Sequence, residues 1–330
     1  MGCTPVQGQR PTEDDSSTDR GRVSWSKVDT SPAGPRLESV LVHDQSTDRF
    51  LVFGGRDVDW NILDQTWQFD VDSRAWSQIE TSHSPGGRFM HNMVYDRCNG
   101  RVILFGGFDG ETSLGDLWSF DPELNTWGEL DAVDGPPPRQ LHAMAFDSVG
   151  NRLIVFGGRF QRGRELRQYG DTWVFDFDTG IWLEASPEVS PSPRDHAAMV
   201  FDRSAGVAVL FGGDASGTSQ NDTWVYDPRA NRWTAVEPAN PPSGRDHHLL
   251  AFHPSSESVL LVGGRLEDNG IYRYSHASAS WSKMEPTGTS PRFGDHMLGA
   301  LGGDHLVLFG GFRGGAHPLG DTWLLDFDWD

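Results

Sequence analysis

Short apolar runs separated by polar, glycine-rich turns make up most of the chain. The most regular of these runs ends in a glycine pair, at Gly54-Gly55, Gly106-Gly107, Gly157-Gly158, Gly212-Gly213, Gly263-Gly264 and Gly310-Gly311. A second mark, Trp followed by polar residues and then an apolar one, falls at Trp25, Trp76, Trp127, Trp182, Trp233 and Trp281, in steps of 51, 51, 55, 51 and 48 residues. A third is Trp in an Asp-Thr-Trp-like context, at Trp67, Trp118, Trp173, Trp224 and Trp323, with Tyr272 in the corresponding place of the fifth unit. Each unit predicts four strands. Strand a follows a Pro/Gly-rich turn and an Arg, as in Arg139 to Asp147, and strand b is the apolar run into Gly-Gly, as in Arg152 to Gly158. Strand c carries one Trp, as in Thr172 to Asp176, and strand d the other, as in Trp182 to Ala185. The a-to-b turns are rich in Gly, Asn, Ser and Asp, which tight hairpins require. Six in-phase units, each all strand and each able to bury its faces only against its neighbours, predict an all-β, six-bladed β-propeller.

The blades are expected at roughly 31–80, 84–130, 135–185, 190–236, 241–284 and 290–330, after a polar segment 1–22 expected to be a flexible tether. The sixth unit ends after its strand c, whereas residues 23–28, around Trp25, form an extra strand d ahead of the first unit. Pairing the two closes the ring and removes an exposed sheet edge. The Phe-Gly-Gly, Asp-Thr-Trp and spaced-Trp marks over residues 23–330 resemble kelch repeats, bacterial ones especially.

Composition narrows the partners. The net charge of −20 repels phosphate backbones, so no nucleic-acid partner is expected. No run of 18 or more apolar residues occurs, and the sequence holds no membrane-spanning helix. Cys3 and Cys98 are too few for a disulfide framework or a Cys-rich zinc site. HExxH, a phosphate-binding glycine loop and a metal-spaced Cys pair are missing too, and no metal or cofactor is expected.

Features repeated in every blade are explained by packing, and candidates for function are the positions that differ. The glycine pairs allow close backbone approach, and the Trp rings fill the wedge between twisted blades. An Arg opens each strand a, at Arg36, Arg88, Arg139, Arg194, Arg245 and Arg292, and is expected to tie down turn carbonyls or an Asp of the adjacent blade. His91, His142, His196, His247 and His296 follow two to four residues later and are candidates for the central channel. Side chains alternate along a strand, so they cannot all face it, and a metal-binding ring of histidines is not expected. The pairs Asp195-His196, Asp246-His247 and Asp295-His296 either hydrogen-bond between blades or orient imidazoles for metal binding or proton transfer.

The loop after Gly-Gly varies most. Its first residues are Arg56, Phe108, Arg159, Asp214, Arg265 and Phe312, with Arg313 following the last. The third blade has the longest such loop, Arg159 to Gly170, which adds Arg162, Arg164 and Arg167. These loops and the turns into strand a surround one mouth of the channel, so positive charge gathers there in an acidic chain. Arg forks beside Phe108 and Phe312 suit a carboxylate- or phosphate-bearing ligand, such as an acidic sugar or peptide; the other reading is a solvated polar loop.

A ligand- or protein-binding module is therefore expected, monomeric, with a protein or an acidic small molecule or glycan as partner. Gly2-Cys3 before a polar tail resembles a bacterial lipoprotein junction, with Cys3 as the lipidation candidate. On that reading the chain is extracytoplasmic and touches a membrane only through the anchor; the alternative is cytoplasmic. The kelch resemblance also implies an enzyme alternative, a carbohydrate-active propeller of the sialic-acid mutarotase type acting in the channel. The Tyr-Cys crosslink of copper oxidases and the Glu-xxx-Asp-xxx-His run of specifier proteins find no match. An intracellular adaptor would need a recruitment domain beyond these blades.

Overall fold

The apolar runs that end in Gly-Gly become the most deeply buried strands: every residue of Leu153–Phe156 and Ala208–Phe211 is shut off from solvent. A strand covered on both faces has no polar side to alternate with, which is why it reads as an unbroken apolar run. The computed structural model describes residues 22–28, 31–132, 134–264, 270–291, 298–312 and 318–328, and these contain no helix. Each strand b pairs antiparallel with strand a on one side and strand c on the other, and c pairs with d. The third blade shows the order in Ala143–Asp147, Arg152–Phe156, Thr172–Asp176 and Ile181–Ala185. Six such four-stranded sheets form a ring in which consecutive a strands touch, so strand a lines a central channel and strand d lies at the rim.

The sixth sheet is completed from the other end of the chain. Arg22–Val28 runs antiparallel to Thr322–Asp328, with Trp25 opposite Leu325. The same strand is stitched to the segment leaving the fifth blade: Trp25 N–H donates to Thr287 O at 3.1 Å, and Thr287 N–H to Val23 O at 2.8 Å.

The recurring residues build the seams between blades. Gly106 has φ 65°, and a Cβ there would lie 2.5 Å from the carbonyl oxygen of Arg139 in the next blade. Gly107 N–H donates to that same oxygen at 2.9 Å, so the glycine pair is an inter-blade stitch that a side chain would wedge apart. The strand-d Trp reaches the other way: Trp233 Nε1 donates to Thr172 Oγ1 of the preceding blade at 2.9 Å. Trp76 pairs likewise with Thr322 at 2.9 Å, Trp127 with Thr66 at 3.0 Å and Trp281 with Thr223 at 3.2 Å.

The strand-a arginines tie down turn carbonyls as expected, Arg139 Nε donating to Pro137 O at 3.1 Å, but the Asp that Arg88, Arg139 and Arg194 meet belongs to their own blade and not to its neighbour. Arg139, fully buried, donates through Nη1 to Gly157 O at 2.9 Å and to Asp171 Oδ1 at 2.8 Å, and through Nη2 to Asp171 Oδ2 at 2.8 Å. Asp171 also accepts Trp173 Nε1 at 2.8 Å. Arg88, Asp116 and Trp118 repeat the triad, as do Arg194, Asp222 and Trp224. In Asp-Thr-Trp, then, Asp neutralises the buried Arg within the blade while Thr receives the neighbour's Trp.

Candidate functional site

Two residues after the strand-a Arg the backbone takes a left-handed conformation in every described blade, at Glu38, Met90, Leu141, His196 and His247, with φ of 58°, 57°, 56°, 55° and 58°. Successive members are joined: Met90 N–H donates to Glu38 O at 2.7 Å, Leu141 N–H to Met90 O at 2.9 Å, and His196 N–H to Leu141 O at 3.0 Å. These bonds between blades over-determine a conformation that side chains disfavour. The result is a ring at one mouth of the channel, constant in backbone and variable in side chain, with an acid, two apolar residues and two histidines. It was missed in the sequence, where its only signal is a position beside a recurring Arg whose identity changes from blade to blade. The ring opens on a cavity of about 540 Å³ whose walls include the apolar layer Val42, Val94, Ala145, Val200, Ala251 and Ala300.

The histidines grouped together by sequence divide into two sets. His196 and His247 belong to the ring; their rings are 3.9 Å apart between centroids and tilted by 37°. Nδ1 of His196 lies 2.5 Å from Asp195 Oδ1, and His247 Nδ1 pairs in the same way with Asp246. The imidazole bonds are local to one dipeptide, and the same carboxylates also bond between blades as expected, Asp195 accepting Gln168 Nε2 of the preceding blade at 3.2 Å. Burial, the largest single influence, opposes ionisation of both carboxyls, yet the imidazole hydrogen bonds together with the nearby charges and further hydrogen bonds hold Asp195 and Asp246 below the ordinary carboxylate range. Ser219 Oγ adds a hydrogen bond to Asp246 at 2.6 Å.

His91 and His142 stand one residue further along, and that single step turns their rings off the mouth into the seam between blades. They meet Phe53 and Phe105 edge-on, at 67° and 70°. His248, next to the sequence candidate His247, occupies the same place against Phe211 at 85°. Burial, aided by the strand-a Arg nearby, lowers His91 and His248 to about 3 and His142 well below its usual value. These three are neutral packing groups.

The cationic mouth is also reshaped. Arg88, Arg139 and Arg194 are buried and ion-paired within their own blades, so they add no charge to it. Arg56 lies with its guanidinium between Trp60, at 4.5 Å, and Phe89, at 4.3 Å, and pairs with Glu38 of the ring, whose carboxyl burial raises while Arg56 holds it down. Phe108 is buried beneath, T-shaped on Phe89 at 5.5 Å, and does not line the surface as predicted. Arg159 faces Asp195 at 3.9 Å. Asp214 accepts Gly217 N–H at 2.6 Å, so its carboxylate holds its own turn. Phe312 is half-buried in a backbone bridge to Pro318.

What remains exposed is the third blade's hairpin, Arg159–Arg162 paired with Glu165–Gln168. Arg162, Arg164 and Arg167 are exposed on it, and among the described residues none of them forms an ion pair. Neighbouring blades clamp the hairpin: Gln161 N–H donates to Ser113 Oγ at 2.9 Å, and Gln168 Nε2 to Asp214 O at 2.9 Å. Arg167 stacks at 5.2 Å on Tyr169. Arg265, Arg313 and His296, with Arg292, Asp295 and the lipidation candidate Cys3, lie outside the described residues.

Glycine stitches, Asp-Thr-Trp triads and six four-stranded blades define a kelch-repeat propeller. The chain matches the model of the KLHDC2/KLHL20/DRC7 Kelch-repeats domain over residues 6–201, 132–264 and 208–329, and it belongs to that family. Among curated proteins it is similar to Adagio protein 3 of Arabidopsis thaliana, 26% identical over 308 residues that cover 84% of this chain and 47% of that one. Adagio-like protein 3 of rice, Oryza sativa subsp. japonica, is 26% identical over 308 residues, 84% of this chain and 46% of that protein. Dynein regulatory complex subunit 7 of Chlamydomonas reinhardtii is 33% identical over 151 residues, 44% of this chain and 12% of that protein. The chain thus spans about half the length of the Adagio relatives. These relatives are plant and algal, and they lend nothing to the bacterial resemblance.

Proposed function

We propose that the chain is a protein-recognition propeller whose b-to-c face holds an acidic segment of its partner. One observation carries this: a clamped hairpin presents Arg162, Arg164 and Arg167 without counter-ions among the described residues, in a chain of net charge −20. Guanidinium forks match carboxylates, and a hairpin already fixed by its neighbours loses little freedom on binding. The long curated relatives, in which such a propeller is one part, fit a recognition role within a larger protein.

Fluorescence anisotropy of the full chain with a labelled oligoglutamate peptide tests the reading, with oligoglutamine as control. Glutamate should bind and weaken with salt, and R162A/R164A/R167A should lose about tenfold or more in affinity while its melting temperature stays put. Equal affinity for the two peptides, or for both proteins, would refute the site. A sulfated glycan serves as a third probe, and a clear preference for it would replace the protein partner by a carbohydrate.

A further inference from the structure

The a-to-b turns form the other mouth of the channel. The first turn residues, Gln45, Arg97, Ser148, Arg203, Pro254 and Gly303, line the same cavity as the left-handed ring that holds His196 and His247. The residue before them is an Asp in four blades, and each of these carboxylates is buried and accepts hydrogen bonds from its own turn, with Oδ2 of Asp202 left without one among the described residues. Asp96 accepts Cys98 N–H and Asn99 N–H, both at 3.1 Å, together with Arg101 Nε at 2.9 Å. Asp202 accepts Ser204 N–H at 3.0 Å and Ser204 Oγ–H at 2.6 Å.

Arg97 and Arg203 come next in these turns, and among the described residues neither forms an ion pair or a side-chain hydrogen bond. Arg203 is half-buried, its guanidinium 5.3 Å over the ring of Phe252. Burial, and then the field of Arg97, lower its pKa, so the two cations are close enough to feel each other. The turn does not require them, since the other blades place Gln, Ser, Pro and Gly there. Two like charges from alternate blades flank Ser148 in an acidic chain, against a low-dielectric wall. That arrangement is unfavourable by itself and is relieved by an anion.

We infer that Arg97 and Arg203 bind the oxyanion head, phosphate or carboxylate, of a small amphipathic ligand whose apolar part lies in the channel. The cavity of about 540 Å³ is of the size that small-molecule sites have, and the layer from Val42 to Ala300 gives it apolar walls. Ser148, between the two arginines, offers a hydroxyl to the same head. The site lies at the mouth opposite the hairpin and stands or falls independently of the protein-binding face.

Calorimetry on the full chain with inorganic phosphate, octyl phosphate and octanoate tests this. One octyl phosphate should bind per chain, about tenfold or more tighter than inorganic phosphate, and Arg97→Ala and Arg203→Ala should each weaken it by a similar factor at unchanged melting temperature. R162A/R164A/R167A should bind it like the wild type. Octanoate binding more tightly than octyl phosphate would make the head a carboxylate, and the reverse would make it a phosphate. Equal affinity for inorganic and octyl phosphate would overturn the channel as the tail's place. Affinities unchanged in both arginine variants would overturn the site.

Discussion

His91, His142 and His248 are the residues at which a small change of medium reaches the core. Their rings are buried in the seams, and among the described residues the nitrogens of His91 and His142 find no hydrogen-bond partner. With folded values near 3 for His91 and His248 against 6.5 when unfolded, the unfolded chain takes up protons that the folded chain refuses. Stability is therefore full above pH 6.5 and falls as pH drops through the window down to about 3, by roughly 1.4 kcal/mol per unit for each such histidine. Asp116, Asp171 and Asp222, held low by their arginines, add a further loss only below about pH 4. Urea midpoints measured down the pH scale should drop from near neutrality, and replacing the three histidines by Leu should flatten the slope. A wild-type midpoint that is level between about pH 7 and 5 would contradict it.

At the scale of elements, each strand carries one contact inward and one across. Strand c shows this best: in Thr172–Asp176 the Thr hydroxyl receives Trp233 of the next blade, and the Asp that precedes it, Asp171, holds the Arg of its own. Thr172→Val keeps the shape but leaves a buried indole N–H without its acceptor, and should cost about 1–3 kcal/mol in denaturant unfolding. A loss below about 0.5 kcal/mol would mean that the seam is held by ring packing alone. The motif announced its place in the sequence but not the direction of its bonds. Spacing cannot say whether an Arg meets the Asp of its own blade or of the neighbour, because both lie within one repeat length of it.

For the whole molecule the decisive device is closure, since a ring of blades bound only to neighbours is as secure as its last seam. Removing residues 1–20 should leave the melting temperature where it is, whereas removing 1–30 deletes the strand that pairs with Thr322–Asp328 and should lower it sharply or cause aggregation. Equal melting of both truncated forms and the full chain would show that the strand is dispensable. Period, blade number, strand order and this clasp were all legible beforehand, because each follows from local chemistry: apolar runs, glycine pairs, turn residues and the phase of Trp. The candidate sites were legible only in part. Parity along strand a could not tell His196 from His91, since the left-handed residue after each Arg shifts the register by one and exists only through bonds to the adjacent blade. Nor could a count of arginines separate those neutralised by Asp171 and its equivalents from Arg97, Arg162 and Arg203. Which charges are cancelled, and which face an open cavity, depends on distances between residues far apart in the chain, and those distances arise when the ring closes.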